Sequence, residues 1–148
     1  MRNFPLTMKS LFTAFLRIGF EASPDERSGG ILLPVQADLK YPCRIVPDQD
    51  ETVLSFVINA DFHIEKDKLF DVACAVALVN GIANVGAWCV EPMSSSLYYR
   101  ITMPINGVQW SDKTLKWTLE MAAGYTNLHM ERFRDIACND GPLDQIFQ

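Results

Sequence analysis

A histidine flanked by two acidic residues is the arrangement in this sequence that comes closest to an acid–base site. In the segment ADFHIEK, His63 lies between Asp61 and Glu65, and a neighbouring carboxylate can tune an imidazole to act as a base. The same charges suit the start of a helix, and no nucleophile stands beside His63 or beside His129, the second histidine. The sequence also contains no GxSxG, HExxH or paired-carboxylate signature. We therefore expect no enzymatic activity and no catalytic residue.

Metal and cofactor chemistry is not indicated either. The four cysteines occur singly, without the close pairs that zinc sites use, and scattered buried thiols are typical of a reducing cytoplasm. The acidic segment DQDE lacks the central glycine and the flanking helices of a calcium loop, so we interpret it as the solvated tip of a hairpin. We expect no metal ion and no cofactor. The cysteines are Cys43, Cys74, Cys89 and Cys138.

The stretch ALVNGIANVGAW, residues 77–88, raises the question of a phosphate-binding loop. Such a loop needs glycines between a strand and the N-terminus of a following helix. Here the order is reversed, because a helical pattern precedes the glycines and a strand pattern follows them. We predict that Asn80 or Gly81 ends the helix in a left-handed conformation and that Gly86 marks a bulge or close packing in the strand.

The bulk composition excludes several classes of partner. A net charge of −5 and a pI near 4.9 disfavour electrostatic binding to nucleic acid or to an anionic membrane surface.

The N-terminal apolar segment LFTAFL is too short and too poorly flanked for a signal peptide. The run VACAVALV is far short of the roughly 20 residues of a membrane span. The 148 residues fit a single domain, 1–148, which we expect in the cytoplasm.

Three helices are predicted. The first covers Leu6–Glu21, and the second covers Ile64–Asn80. From Leu69 to Val79 the second helix includes only one polar residue, Asp71, and it is therefore expected to be buried on all sides. Another helix or a second subunit would have to cover it. The third begins at the N-cap Ser111 and ends before NDGP, where Gly141 and Pro142 prevent continuation, and it precedes a C-terminal tail, residues 139–148. Within the second helix, Val72, Val76 and Val79 are expected in the core.

Five strands lie between these helices. The segments YPCRIV and TVLSFVIN flank the turn PDQDE and predict a hairpin. The segment ILLPVQADL predicts an edge strand or an irregular strand because of Pro34. Residues 22–30 are predicted to form a loop. The second strand of the hairpin is apolar on both faces and should be covered on both. The segments NVGAWCVEP and SLYYRITMPI predict the remaining two strands.

The resulting order is α-β-β-β-α-β-β-α, which indicates an α+β fold with one antiparallel sheet and helices. This order, over the core from about residue 30 to 138, resembles the YbjN family of bacterial proteins, whose fold is like that of class I type III secretion chaperones. The resemblance rests on the hairpin around PDQDE, on VALVNGIANVGAW, on LYYRITMPI and on the final helix opening at WSDKTLKW.

The resemblance implies a non-enzymatic, chaperone-like or regulatory module that binds a polypeptide, is often a homodimer and needs no cofactor. The alternative is a small enzyme or small-molecule binder with a pocket near His63. A homodimer would also bury the apolar surface that a two-layer fold leaves over. The residues predicted for this partner-binding or dimer surface are Leu32, Leu54, Phe56, Trp88 and Tyr99.

Overall fold

The computed structural model describes residues 3–147 and shows one large antiparallel sheet with three helices. The helices are α1 (Met8–Arg17), α2 (Leu69–Asn80) and α3 (Asp112–Cys138). The strands are β1 (Asn3–Pro5), β2 (Ser23–Asp25), β3 (Gly30–Leu33), β4 (Cys43–Pro47), β5 (Val53–Asn59), β6 (Ala87–Glu91), β7 (Ser96–Pro104) and β8 (Gln109–Ser111). Short 3-10 turns cover Lys66–Lys68 and Leu143–Phe147.

The main sheet has the strand order β2-β3-β4-β5-β7-β6, and every neighbouring pair is antiparallel. β1 and β8 form a separate two-stranded pair. The predicted α+β class and its antiparallel sheet are therefore confirmed. The predicted hairpin around PDQDE is also confirmed, because β4 and β5 pair and the Asp48 carboxylate accepts the backbone N–H groups of Thr52 and Val53 across the turn.

The N-terminal half departs from the sequence prediction in two places. α1 is shorter than predicted, because it begins only after the N-cap Thr7 and ends before Gly19, which has a positive φ of 90°. The segment 22–30 is not a loop throughout, because it contributes β2 to a hairpin with β3. The buried carboxylate of Asp25 stabilises that hairpin by accepting from Ser28 and pairing with Arg44.

The core lies between the inner face of the sheet and the helices. Alternate residues of β4, β5 and β7 point into it, as the two-residue period of a strand requires. Phe56 stacks on Trp110 with ring centroids 5.7 Å apart, and Trp88 packs on Phe133 of α3 at 4.7 Å. Ser111 caps α3 as predicted, by accepting the backbone N–H of Thr114.

No helix among residues 3–147 covers the outer face of the sheet. On β5, Leu54, Phe56 and Ile58 are buried, whereas Val53, Ser55 and Val57 are only half-buried. The prediction that this strand is covered on both faces is therefore wrong. Antiparallel sheets tolerate one face toward water, and here the polar neighbours of the outer face, such as Arg100 on β7, make that possible.

α2 is also less covered than its composition predicts. Val72 and Val79 are buried as expected, but Val76 is only half-buried and Phe70 is 77% exposed. The cause is position: α2 packs against β6 at one end of the sheet, with α3 and the C-terminal turn beside it. These neighbours cover the inward side of the helix and leave its outward side open.

Candidate protein-interaction surfaces

The histidine segment does not form a pocket. His63 is exposed, and Asp61 pairs with Arg134 instead. Four cavities among residues 3–147 are lined by other side chains, and none of the four includes His63, Asp61 or Glu65. None of these cavities therefore brings the three side chains together around an enclosed volume, as acid–base catalysis on a bound substrate would require.

The five residues predicted for a partner-binding surface are mostly in the core. Leu54, Phe56, Trp88 and Tyr99 are each at most 2% exposed. They lie on the inner face of the sheet under the helices, so they cannot contact a partner while the fold is intact. Only Leu32 lies on the outer face, half-buried beside Arg44. The apolar surface available to a partner lies elsewhere on the molecule.

The last residue of α2, Asn80, is hydrogen-bonded to the edge strand β6. The Asn80 side chain donates to the carbonyl of Trp88 and accepts its N–H, both at 2.9 Å. The amide thus takes the place that a peptide group of a further strand would occupy at the open edge of β6. Gly81 is right-handed, with φ −64°, so the predicted left-handed helix end is wrong.

Close packing explains Gly86, as predicted. Its φ is +67°, and a Cβ atom there would lie 2.4 Å from the Tyr99 hydroxyl. That hydroxyl donates to the carbonyl of Val85 at 2.5 Å, and burial raises the pKa of Tyr99 above its usual range. The glycine-rich segment is therefore a structural junction, and its groups are engaged with the sheet rather than directed at a ligand.

The first open surface is the outer face of the sheet. It holds a concavity of about 330 Å³ whose lining includes the apolar residues Val46 and Val57. The polar residues of the lining are Asp48, Ser55, Asn59, Tyr98 and Arg100. None of the ion pairs among residues 3–147 involves Arg100, whereas Arg44 in the same cross-strand row is paired with Asp25.

The second open surface runs along α2 and is apolar throughout. Phe70 is 77% exposed, Leu78 is 43% exposed, and Ile82, just beyond the helix end, is 66% exposed. The helical repeat places the small residues Ala73 and Ala77 on the same outward side. We call this surface the α2 stripe. It consists of Phe70, Ala73, Cys74, Ala77, Leu78 and Ile82.

A cavity of about 280 Å³ adjoins one end of the α2 stripe. It lies between α2, α3 and the C-terminal turn, and we call it the helix–tail cavity. Three exposed side chains surround it: Ile82, Leu128 at 53% exposure and Phe147 at 50% exposure. The tail is fixed there by the buried Ile146, whose carbonyl accepts from Arg132. The cavity is therefore a formed feature of the fold.

His129 lines the helix–tail cavity and is itself buried. Its Nδ1 atom has no hydrogen-bond partner among the described residues. Desolvation by burial lowers the pKa of the imidazole, and the nearby Arg132 lowers it further, while a hydrogen bond with the backbone of Ile146 opposes the shift. His129 is therefore neutral near pH 7, and the cavity carries no charge from this ring.

The described residues contain neither a candidate metal cluster nor a candidate membrane span. In the range 3–147 there is no group of three or more histidine, cysteine, aspartate or glutamate side chains that could hold a metal ion. No helix within that range combines the length and the hydropathy needed to cross a bilayer. The four cysteines are unpaired, and burial raises the pKa of the Cys43 thiol to about 12, which makes it unreactive.

Two solved structures share this fold. YbjN from E. coli, described as a candidate transcription regulator, matches with a TM-score of 0.62 at 10% sequence identity, over 84% of this chain and 93% of YbjN. A chain from the HopA1–SchA chaperone–effector complex matches with a TM-score of 0.52 at 16% identity, over 88% of this chain and 99% of that one. No protein-family model and no curated protein matches the sequence. The resemblance to a YbjN-like, type III chaperone-like fold is confirmed.

The sequence contains signals for part of these surfaces. The all-round apolar character of α2 indicates an interface, but it does not show which side faces outward. The helix–tail cavity has no such signal, because it is formed by residues from three separate elements. Only the apolar pair Ile146 and Phe147 in the tail predicts that this segment docks.

We expect the buried, neutral His129 to make stability depend on pH. The unfolded histidine has an ordinary pKa near 6.5, and the folded pKa is lower. The contribution of the neutral His129 to the free energy of unfolding is therefore full well above pH 6.5. It declines as the pH falls through that value, because the unfolded chain binds the proton at a higher pH than the folded chain does. Urea unfolding at pH 7.5 and 5.5 should show a smaller loss in His129→Gln than in the native protein. The exposed-site control His63→Gln should lose as much as the native protein, and equal losses in all three would contradict the assignment.

Proposed function

We propose that this protein is a non-enzymatic protein-interaction module of the cytoplasm, which forms a homodimer through the α2 stripe and binds a polypeptide on the outer face of its sheet. Its role is chaperone-like or regulatory. The observation that carries the proposal is the α2 stripe, an exposed apolar surface that the fold itself does not cover. The two structural neighbours, a candidate regulator and a chaperone–effector complex, support this class of function.

The character of the two open surfaces supports the homodimer. Contiguous exposed apolar surface is uncommon on soluble monomers and marks an interaction site. The stripe includes no charged residue, whereas the sheet face includes Arg44 and Arg100. The stripe therefore gains more from being buried. A second copy presents the same stripe, and a two-fold arrangement buries both at once.

The polypeptide partner is assigned to the sheet face because of its mixed lining. Protein interfaces combine apolar and polar groups, and the lining of the outer concavity includes the apolar Val46 and Val57 together with Arg100 and Asp48. The Asp48 carboxylate is already engaged with the backbone of Thr52 and Val53. Since Arg100 has no ion pair among the described residues, an acidic side chain of the partner would complement it. The partner that we expect is an extended segment with apolar and acidic residues.

The non-enzymatic part of the proposal is supported by the surroundings of the histidines. His63 is exposed and lines none of the cavities described above. His129 is buried among apolar side chains and has no nucleophilic side chain among the residues that line its cavity, apart from the Tyr125 hydroxyl, which accepts from the backbone of Asn84.

Charge placed in the α2 stripe should abolish the dimer. Leu78→Glu puts a carboxylate into the surface that the second copy would bury, and an unpaired buried charge costs several kcal/mol. We expect light scattering coupled to size exclusion, at micromolar concentration, to give a dimer for the native chain and a monomer for this variant. Thr102→Glu on the sheet face is the control and should remain dimeric. A native chain with the mass of one copy at every concentration would contradict the homodimer.

Reversing the charge of Arg100 should weaken polypeptide binding. Peptides selected from a random displayed library against the native protein should be rich in acidic and apolar residues. For such a peptide, Arg100→Glu should raise the Kd by about tenfold or more, since 1.4 kcal/mol corresponds to a factor of ten. Lys113→Glu makes the same charge change at an exposed position of α3 and should have little effect on the Kd. Equal affinities for Arg100→Glu and the native protein would show that the sheet face is not the binding surface.

A further inference from the structure

We propose that each copy inserts the Phe70 side chain into the helix–tail cavity of the other copy. This inference rests on the proposed homodimer and names the contact that holds it together. Phe70 would be the projecting side chain and the cavity the matching recess. Because both occur on every chain, a two-fold dimer makes the contact twice.

Phe70 has the properties of an interface anchor. It is the most exposed aromatic side chain described, at 77%, and it stands in the first turn of α2 beside Ala73 and Cys74. The small neighbours leave its ring projecting from the helix surface. Aromatic side chains that fill a pocket on a partner contribute a large share of binding energy.

The helix–tail cavity has the size and chemistry to receive a phenyl ring. A cavity of about 150 Å³ with apolar walls is large enough for benzene, and this one measures about 280 Å³. The ring of His129 is uncharged near neutral pH, so it does not oppose an apolar occupant. The apolar side chains that line it are Val79, Ile82, Ala83, Leu128, Ile146 and Phe147.

The spacing of the two features along one helix fits a two-fold axis. Phe70 and Ile82 are twelve positions apart, which corresponds to about 18 Å at 1.5 Å per residue. If two α2 helices pack antiparallel with the axis near Val76, Phe70 of one copy lies opposite Ile82 of the other. Ala73 and Ala77 lie between these points on the outward side, where small side chains allow the helices to approach.

Two of the other cavities fit a phenyl ring less well because their linings are charged. The sheet concavity has Asp48 and Arg100 in its lining, and the concavity between α3 and the turn before β4 includes Asp38, Lys116 and Glu120. Burying a phenyl ring there would also desolvate charged groups. The helix–tail cavity has Arg132 as its one charged residue, and that guanidinium already donates to the Ile146 carbonyl.

Photo-crosslinking tests the contact directly. Replacing Phe70 by p-benzoylphenylalanine keeps an aromatic ring at the position and makes it reactive toward neighbouring C–H groups on irradiation. We expect a covalent dimer on a denaturing gel, with crosslinks mapped by mass spectrometry to residues 79–83, 128–132 or 146–147. The same substitution at Met93, which is 94% exposed on the β6–β7 turn, is the control and should give no dimer.

A second variant tests the recess without changing Phe70. Ala83→Phe fills the cavity and should raise the dissociation constant of the dimer at least tenfold while leaving the unfolding temperature of the monomer unchanged. A dimer by light scattering whose crosslinks map elsewhere, and which Ala83→Phe does not weaken, would overturn the Phe70 contact and leave the homodimer standing. A monomer at every concentration would overturn both.

Discussion

The packing around Trp88 is the contact on which the rest of the structure depends. Its indole ring lies between Tyr99 of β7 and Phe133 of α3, at centroid distances of 5.6 and 4.7 Å. Its backbone N–H and carbonyl are bound by the side chain of Asn80 at the end of α2. One residue thus joins the sheet, α2 and α3. Replacing a buried aromatic of this kind by alanine costs about 3–5 kcal/mol.

This junction determines which side of α2 faces outward. With Asn80 held against β6, the helix turns Val72, Ala75 and Val79 toward the core. No element among residues 3–147 covers the α2 stripe, although its side chains are apolar as well. The exposed α2 stripe is therefore a consequence of how the helix is docked, and a helix with a polar outward side would have fitted the monomer equally well.

The outer face of the sheet differs from the α2 stripe in its polarity. It is open as well, but polar side chains such as Arg100, Thr102 and Asn59 alternate with the buried ones and can remain hydrated. An antiparallel sheet can stay half-solvated in this way. The two open surfaces therefore suit different partners: a second copy for the stripe, and an extended polypeptide for the sheet.

Local signals in the sequence predict much of the fold. The turn PDQDE and the cap at Ser111 each involve residues close in sequence, and both predictions are confirmed. β2 depends on the pairing of Asp25 with Arg44 as well as on the local contact of Asp25 with Ser28, and the helix–tail cavity depends on Ile82 and Phe147 lining one cavity. The Asp25–Arg44 pair and the cavity join residues far apart in the sequence, so neither is predicted by a local pattern. The sequence predicts Leu54, Phe56 and Tyr99 at a surface, but the structure buries them. An apolar strand does not reveal which of its two faces the helices cover.

The reactivity of Cys74 tests the central claim, that the outward side of α2 is covered in the assembled protein. This thiol is half-buried on the α2 stripe, one turn from Phe70, and Cys89 is half-buried on the sheet face. The native chain can be labelled with a maleimide from nanomolar to micromolar protein, with the rate at each cysteine read by mass spectrometry. The account predicts that labelling of Cys74 slows as the concentration rises, while that of Cys89 stays constant. A Cys74 rate that does not change with concentration and matches that of an exposed thiol would contradict it.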